Sequence, residues 1–334
     1  MKSAILILFI FFSVTFLITS CVKEVKTEPD HSVIISFDTL RLSAGTSKQL
    51  VSKNYSANDL TWTSSDSTVA IVSNAGLITT LKQGSAIINV KSNTYAVSAT
   101  CNVTVTDVRA TDVGVGADGS VFVVGADSVS VTGGYGIYKL TNSQFHKLPD
   151  CAAIRVAVSP QGVPWVVNKS HLIFRYNGST WDQLPGTATD IGIGADGSVF
   201  AIGTQFATAT GGYIIMKWNG SAWDTMPDCA GIHIAVAPNG IPWVVNQSKL
   251  VFRYGGTYLW DTMYGVEGND VGVGADGSVF VTGTDTTIVG YKPPIYKFIN
   301  GGWSQIVGIS GTSISVDPLG KIWYTDKSYV LHRP

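Results

Sequence analysis

The sequence predicts an all-β protein in two parts, and three observations carry that prediction. No segment of the 334 residues keeps a helical apolar period over the roughly 10 to 15 residues that an amphipathic helix needs. Charged residues make up 13% of the chain against roughly 25% in an average soluble domain, while Gly reaches 36 and Trp 9. Polar surface must then come from Ser, Thr, Asn and Gly, as in short strands joined by tight turns. Third, one segment recurs almost unchanged: Asp112 to Phe122, Asp190 to Phe200 and Asp270 to Phe280. With 22 basic and 23 acidic residues the formal net charge is −1, which argues against a nucleic-acid binder relying on clustered Lys and Arg. Four cysteines over this length do not make a disulfide framework.

The N-terminus reads as a targeting segment. Lys2 supplies the positive start, Ala4 to Ile18 is apolar, and Ile18-Thr19-Ser20 leads into Cys21. Fifteen apolar residues fall short of the about 20 that span a bilayer. The pattern resembles a bacterial lipoprotein signal. The resemblance implies that residues 1–20 are removed, that Cys21 is lipidated, and that the mature protein is extracytoplasmic and membrane-tethered. Val22, which is not Asp, favours an outer membrane or cell surface. Residues 22–30 alternate charged and polar side chains without a core-forming pattern and read as a tether, so the first unit, 21–30, is the anchor and its linker.

Residues 31–107 carry short alternating strands at turn-separated intervals. Ala99, Cys101, Val103 and Val105 share one face of a closing strand. Trp62 sits where a core aromatic belongs, and Val69-Ala70-Ile71-Val72, Gly76-Leu77-Ile78 and Gly84 to Ile88 follow in order. These segments resemble the group 2 bacterial immunoglobulin-like domain, which implies a β-sandwich and a spacer role. Cys101 is expected to be a buried thiol acting as a small hydrophobe.

Internal repeats organise residues 108–334. The turn glycines Gly119, Gly162, Gly197, Gly240, Gly277 and Gly320 are separated by 43, 35, 43, 37 and 43 residues, giving six units that alternate long and short. In the third unit, strands are expected at Ile191–Gly194, Val199–Gly203 and Ile214–Trp218, with a fourth around Trp223. Asp196-Gly197 and Asn219-Gly220 make the tight turns. Four strands per repeat of about 40 residues indicate a propeller blade, hence a six-bladed β-propeller with pseudo-threefold pairs of long and short blades. Gly-Ala-Asp-Gly-Ser-Val-Phe, Trp-Asn-Gly-Ser-Ala-Trp and Pro-Trp-Val-Val-Asn resemble the tectonin β-propeller repeat, found in secreted and surface lectins. The sixth unit stops at Leu331 to Pro334 without a fourth strand. Either the stretch Thr106–Thr111 closes the ring, or the small domain packs over an incomplete blade.

The extra length of the odd units falls between second and third strands, at 126–134, 204–212 and 284–290, each ending in a tyrosine: Tyr135, Tyr213 and Tyr291. These rings either form platforms for sugars, offering an apolar face and a hydroxyl donor, or begin the third strand and pack between blades. Counting back seven from each turn glycine gives Asp112, Arg155, Asp190, His233, Asp270 and Ser313, an alternating ring at the channel mouth. It serves as inter-blade ion pairs and strand caps, or as a polar binding site. Three carboxylates suggest a hard cation, but their separation around the ring argues against a shared metal, and no cofactor is expected. Trp165, Trp243 and Trp323, with Phe122, Phe200 and Phe280, are read as core, and Trp181, Trp223, Trp260 and Trp303 as structural. Cys151 and Cys229, two blades apart, are expected to stay thiols because a disulfide needs Cα atoms within about 7 Å.

No His-Glu-x-x-His, nucleophile elbow or phosphate loop occurs, and none of the five His recurs in a motif with Ser or Asp. The expectation is a binder and not an enzyme, since repeated weak sites gain by linkage. The tectonin resemblance implies glycans or lipopolysaccharide-type surface sugars as partners. A protein-binding adhesin or an envelope scaffold is the alternative.

Overall fold

The computed structural model describes residues 31–106, 108–130, 133–142, 144–207, 211–256, 259–284 and 292–333. The leader, Cys21, the tether and Tyr291 lie outside the described residues. Among those described the chain is all-β, with one 3-10 turn at Ala57–Asp59 and no helix long and apolar enough to cross a membrane.

The first module has seven strands: β1 (Thr39–Ser43), β2 (Ser47–Gln49), β3 (Leu60–Ser64), β4 (Ala70–Val72), β5 (Leu77–Thr80), β6 (Gly84–Ser92) and β7 (Ser98–Thr106). They form two sheets, ordered β1-β7-β6-β3 and β2-β5-β4, that share one core. Alternation decides which side chains enter it: Ala86, Ile88 and Val90 from β6 and Cys101, Val103 and Val105 from β7 are all buried. Trp62 is buried across this core beside Gly76, whose φ is +81°. A Cβ there would meet Leu50 O at 2.7 Å and the Trp62 ring at 3.0 Å, so only glycine fits the turn. Burial pushes the Cys101 thiol up, keeping it an inert core group as expected.

Six antiparallel units follow. The first is β8 (Ala110–Val115), β9 (Val121–Ser130), β10 (Gly134–Thr141) and β11 (Gln144–Ala153). The second is β12 (Arg155–Val158), β13 (Pro164–Val167), β14 (Leu172–Tyr176) and the first half of β15 (Trp181–Ile193), whose second half starts the third unit with β16 (Val199–Phe206), β17 (Tyr213–Trp218) and β18 (Trp223–Gly231). The fourth is β19 (His233–Val236), β20 (Pro242–Val245), β21 (Val251–Gly256) and β22 (Leu259–Thr262). The fifth is β23 (Gly268–Val273), β24 (Val279–Gly283), β25 (Pro294–Ile299) and β26 (Gly302–Ser310). The sixth has β27 (Ser313–Val316), β28 (Ile322–Thr325) and the two-residue β29 (Leu331–His332). The long connection expected at 126–134 is largely strand, because β9 runs on to Ser130.

The first strands of the six units pack on one another in order, and β27 packs back on β8, so they close a ring. Their backbones come close enough that side chains are excluded at Gly114, Gly192 and Gly272. A Cβ at these positions would lie 2.8, 2.9 and 3.1 Å from the carbonyl oxygens of Val156, Ile234 and Ile314. Between units, Phe122, Phe200, Phe280, Trp165, Trp243 and Trp323 are buried, as the sequence reading expects. The outer tryptophans latch neighbours together: each indole N–H donates to a carbonyl of the preceding unit, Trp181 to Pro149 (3.0 Å), Trp223 to Pro185 (2.8 Å), Trp260 to Pro227 (3.1 Å) and Trp303 to Met263 (3.3 Å).

The sixth unit is completed by the chain entering the ring. Leu331 N–H donates to Val108 O and Ala110 N–H to Tyr329 O, both at 2.7 Å, and Arg109 bridges Val330 antiparallel. Ala188 N–H meets His171 O in the same way between β15 and β14, so the entry stretch takes the place of a fourth strand's end. Of the two alternatives left open by the sequence, the entry stretch is the one that meets the sixth unit's last strand. The first module also docks: Phe145 N–H donates to Gly45 O (2.6 Å), and Val108 packs against both the module's core and the core at the β8–β29 seam.

Candidate functional site

The six residues found by counting back from the turn glycines do converge. Each stands at or near the start of an inner strand, where the ring brings the strands together. Arg155 reaches both neighbours, Nη1 to Asp112 Oδ1 (3.8 Å) and Nε to Asp190 Oδ1 (3.5 Å). His233 Nδ1 lies 3.2 Å from Asp190 Oδ2 and 3.7 Å from Asp270 Oδ1. Ser313 Oγ donates to Asp112 Oδ1 at 2.6 Å.

The carboxylates also hold the backbone of the next unit. Asp112 Oδ2 accepts from Val156 N (2.8 Å), Asp190 Oδ2 from Ile234 N (3.0 Å) and Asp270 Oδ2 from Ile314 N (3.0 Å), each 44 residues on. Asp190 and Asp270 also accept from the next residue's N–H at 2.9 Å. These bonds satisfy strand-start donors that have no ladder partner. Burial pushes Asp112 up to about 6 against the opposing pull of Arg155, and Asp270 is raised for the same reason against His233 and Arg155. Burial would lower the guanidinium of Arg155, but the three carboxylates outweigh it and raise it.

Inside the ring lies a cavity of about 70 Å³. Ligand pockets run to about 300–1,000 Å³, so water fits here and a sugar ring does not. Among the described residues no group of three or more His, Cys, Asp or Glu is arranged to hold a metal ion. Arg155 and His233 keep 28% and 18% of their side-chain surface exposed, so the ring offers donors at its mouth.

Tyr135 and Tyr213 stand at the start of the third strands of their units and are not among the residues lining the cavity. Tyr135 pairs with Ala153, two residues before Arg155, and Tyr213 pairs with Gly231, two residues before His233. Both are half-buried against inter-unit cores, and Tyr213 packs on Phe206 with centroids 4.7 Å apart. Tyr291 lies outside the described residues. The fifth unit follows the third by 80 residues and not 78, and Pro293, whose carbonyl accepts from Gly311 N (3.0 Å), holds the equivalent place. Cys151 and Cys229 are thiols donating to the carbonyls of Ala152 and Ala230 (3.7 and 3.6 Å), and burial pushes Cys151 up to about 11.

Sequence reasoning passed over a second cluster, in the sixth unit. His332 Nε2 lies 3.0 Å from Asp326 Oδ2, and its ring stacks on Tyr324 with centroids 4.6 Å apart. The signal was present as a departure from the repeat, where His332 and Asp326 replace Phe and Asn.

Solved structures resembling the chain include an auxiliary nutrient binding protein from Bacteroides ovatus (11% identity, 91% of this chain and 97% of that one, TM-score 0.43). Others are a calcium-binding protein, regucalcin, from Agrobacterium tumefaciens (12%, 66% and 83%, TM-score 0.45) and the WD40 beta propeller domain of Doa1 (15%, 67% and 91%, TM-score 0.43). No curated protein matches the chain. Residues 21–113 match the bacterial Ig-like domain (group 2) family and residues 125–210 the Tectonin domain family. The chain thus carries a group 2 bacterial Ig-like domain and then a tectonin domain, in that order.

Proposed function

We propose that this is a lipid-anchored surface protein, held through Cys21, in which an immunoglobulin-like sandwich carries a six-bladed tectonin-type propeller that binds glycans. The observation that carries the reading is the register of Tyr135 and Tyr213, each two residues across from a partly exposed cation of the ring, Arg155 or His233. An aromatic edge beside fixed donors suits a sugar, which offers apolar C–H faces and hydroxyl acceptors. Asp112, Asp190 and Asp270 act by holding Arg155 and His233 in place. The ligand sits over the ring and not inside it, because the cavity is too small.

The test is binding to a glycan array by the chain from residue 31 onward, beside a variant with Tyr135, Tyr213 and Tyr291 changed to alanine. Binding by the parent that the folded variant loses supports both the lectin and its site. Binding that survives keeps the lectin and refutes the site. Silence across the array, with a protein captured by cross-linking, favours an adhesin or scaffold.

A further inference from the structure

Several of the sixth unit's departures from the other short units cluster at one place. Ladder register makes Tyr324 equivalent to Val166 and Val244, His332 to Phe174 and Phe252, and Asp326 to Asn168 and Asn246. In the second and fourth units the aromatic is covered by a fourth-strand indole, Trp181 or Trp260, latched to Pro149 or Pro227 of the unit before. Among the described residues no indole stands at that place in the sixth unit, and Val307, which holds the place of those prolines, is 89% exposed. An open cleft of about 580 Å³ lies between the fifth and sixth units, in the size range of small-ligand pockets; its counterpart between the first and second units, about 550 Å³, is lined by Asn168, Phe174 and Trp181 instead.

We infer that this cleft is a binding site for a small anionic, hydroxylated ligand, a sugar acid or a sugar phosphate. Lys292 stands on the fifth unit's wall and Lys327 on the sixth's, against a single carboxylate, Asp326. That carboxylate is engaged: burial opposes its ionisation, but His332 and the N–H groups of Val330 and Ser328 hold it below the ordinary carboxylate range. With Asp326 ionised, His332 donates through Nε2 and leaves Nδ1 for a ligand hydroxyl. Ser310 and Ser328 add hydroxyls to the same walls. Asn168 and Asn246 already make the loop bond that Asp326 makes to Val330 N, so the added carboxylate oxygen and the His332 ring go beyond what the turn needs. Tyr324 and His332 bring hydrogen-bonding groups to two positions that are apolar in the other short units, and Asp326 brings a charge to the third, as a solvated ligand site requires. The inference stands apart from the glycan site at the ring mouth and does not rest on it.

The experiment is calorimetric titration of the full chain, purified in neutral detergent, with glucuronate, glucose 6-phosphate, glucose and inorganic phosphate. At least one anionic sugar should bind about tenfold or more tightly than glucose and than phosphate alone, and comparing the two distinguishes carboxylate from phosphate. Lys292→Ser should weaken that binding about fivefold or more. A Tyr324→Val, Asp326→Asn, His332→Phe variant, which restores the residues of the other short units, should abolish it while glycan-array binding persists. Equal affinity for glucose, equal affinity for bare phosphate, or full affinity in the triple variant would each overturn the proposal. If the triple variant fails to fold, unchanged affinity in Lys292→Ser, an exposed side chain, does so alone.

Discussion

Replacing Asp112 by Asn should remove a specific part of the protein's pH dependence. Asp112 is buried, bonded to Ser313 and Val156 N, and Arg155 is 3.8 Å away. Its folded-state pKa of about 6 lies above the ordinary 3.8. The folded protein therefore binds more protons than the unfolded chain between those values, and stability falls as pH rises through them. A gap of about 2 units corresponds to about 3 kcal/mol, fully present below pH 4 and lost by pH 7. Asn keeps the shape and an acceptor for the Val156 N–H, and it does not titrate. Urea unfolding of parent and variant at pH 4, 5, 6 and 7 gives the difference in stability at each pH, from which groups common to both cancel. Relative to the variant, the parent should lose about 3 kcal/mol between pH 4 and 7. A difference that stays flat, or that rises with pH, would refute the burial argument and mean that Arg155 fully compensates the charge.

Asp190→Ala strips acceptors from two backbone N–H groups and one carboxylate from Arg155, so it should cost about 3–5 kcal/mol and lower Tm by roughly 6–20 °C in thermal unfolding, with Asp190→Asn milder. Gly192→Ala puts a Cβ 2.9 Å from Ile234 O, and the inner strands must part, costing about 1–3 kcal/mol in urea unfolding. Ala110→Pro removes the donor to Tyr329 O and should cost about 3 kcal/mol; faster hydrogen exchange at the Leu331 amide would report that the seam has opened.

The repeat was legible in the residues because its punctuation is chemical. Asp118, Asp196 and Asp276 each accept from the N–H of the serine two residues on at 3.0 Å, and the intervening glycine is left-handed, so the turns announce themselves. The ring followed by counting from those turns. What it does was not legible, because the sequence does not carry distances: only the structure shows each aspartate bonded to the next unit's backbone. Equal tyrosine spacing did not reveal that the fourth unit is two residues longer than the second, with 37 residues from Gly240 to Gly277 against 35 from Gly162 to Gly197, which puts Pro293 at the place of Tyr213. β15 runs through two units without interruption, and it accommodates Pro185 and Gly186 at a bulge. The His332–Asp326 pair escaped because attention went to what recurs, and this pair is a departure.

The parallel pairing of β1 with β7 has a mechanical consequence. The chain enters the first module before β1 and leaves it after β7, which runs straight to the ring's seam. Tension between an N-terminal attachment and the ring pulls the two strands along their length in opposite directions. The five pairs from Thr39–Asn102 to Ser43–Thr106 then bear the load in shear, all together, where an antiparallel terminal pair would peel one bond at a time. The module thus resists a pull applied at its N-terminal end, and the seam at Val108–Ala110, held by two hydrogen bonds, is the first point past it to feel the strain.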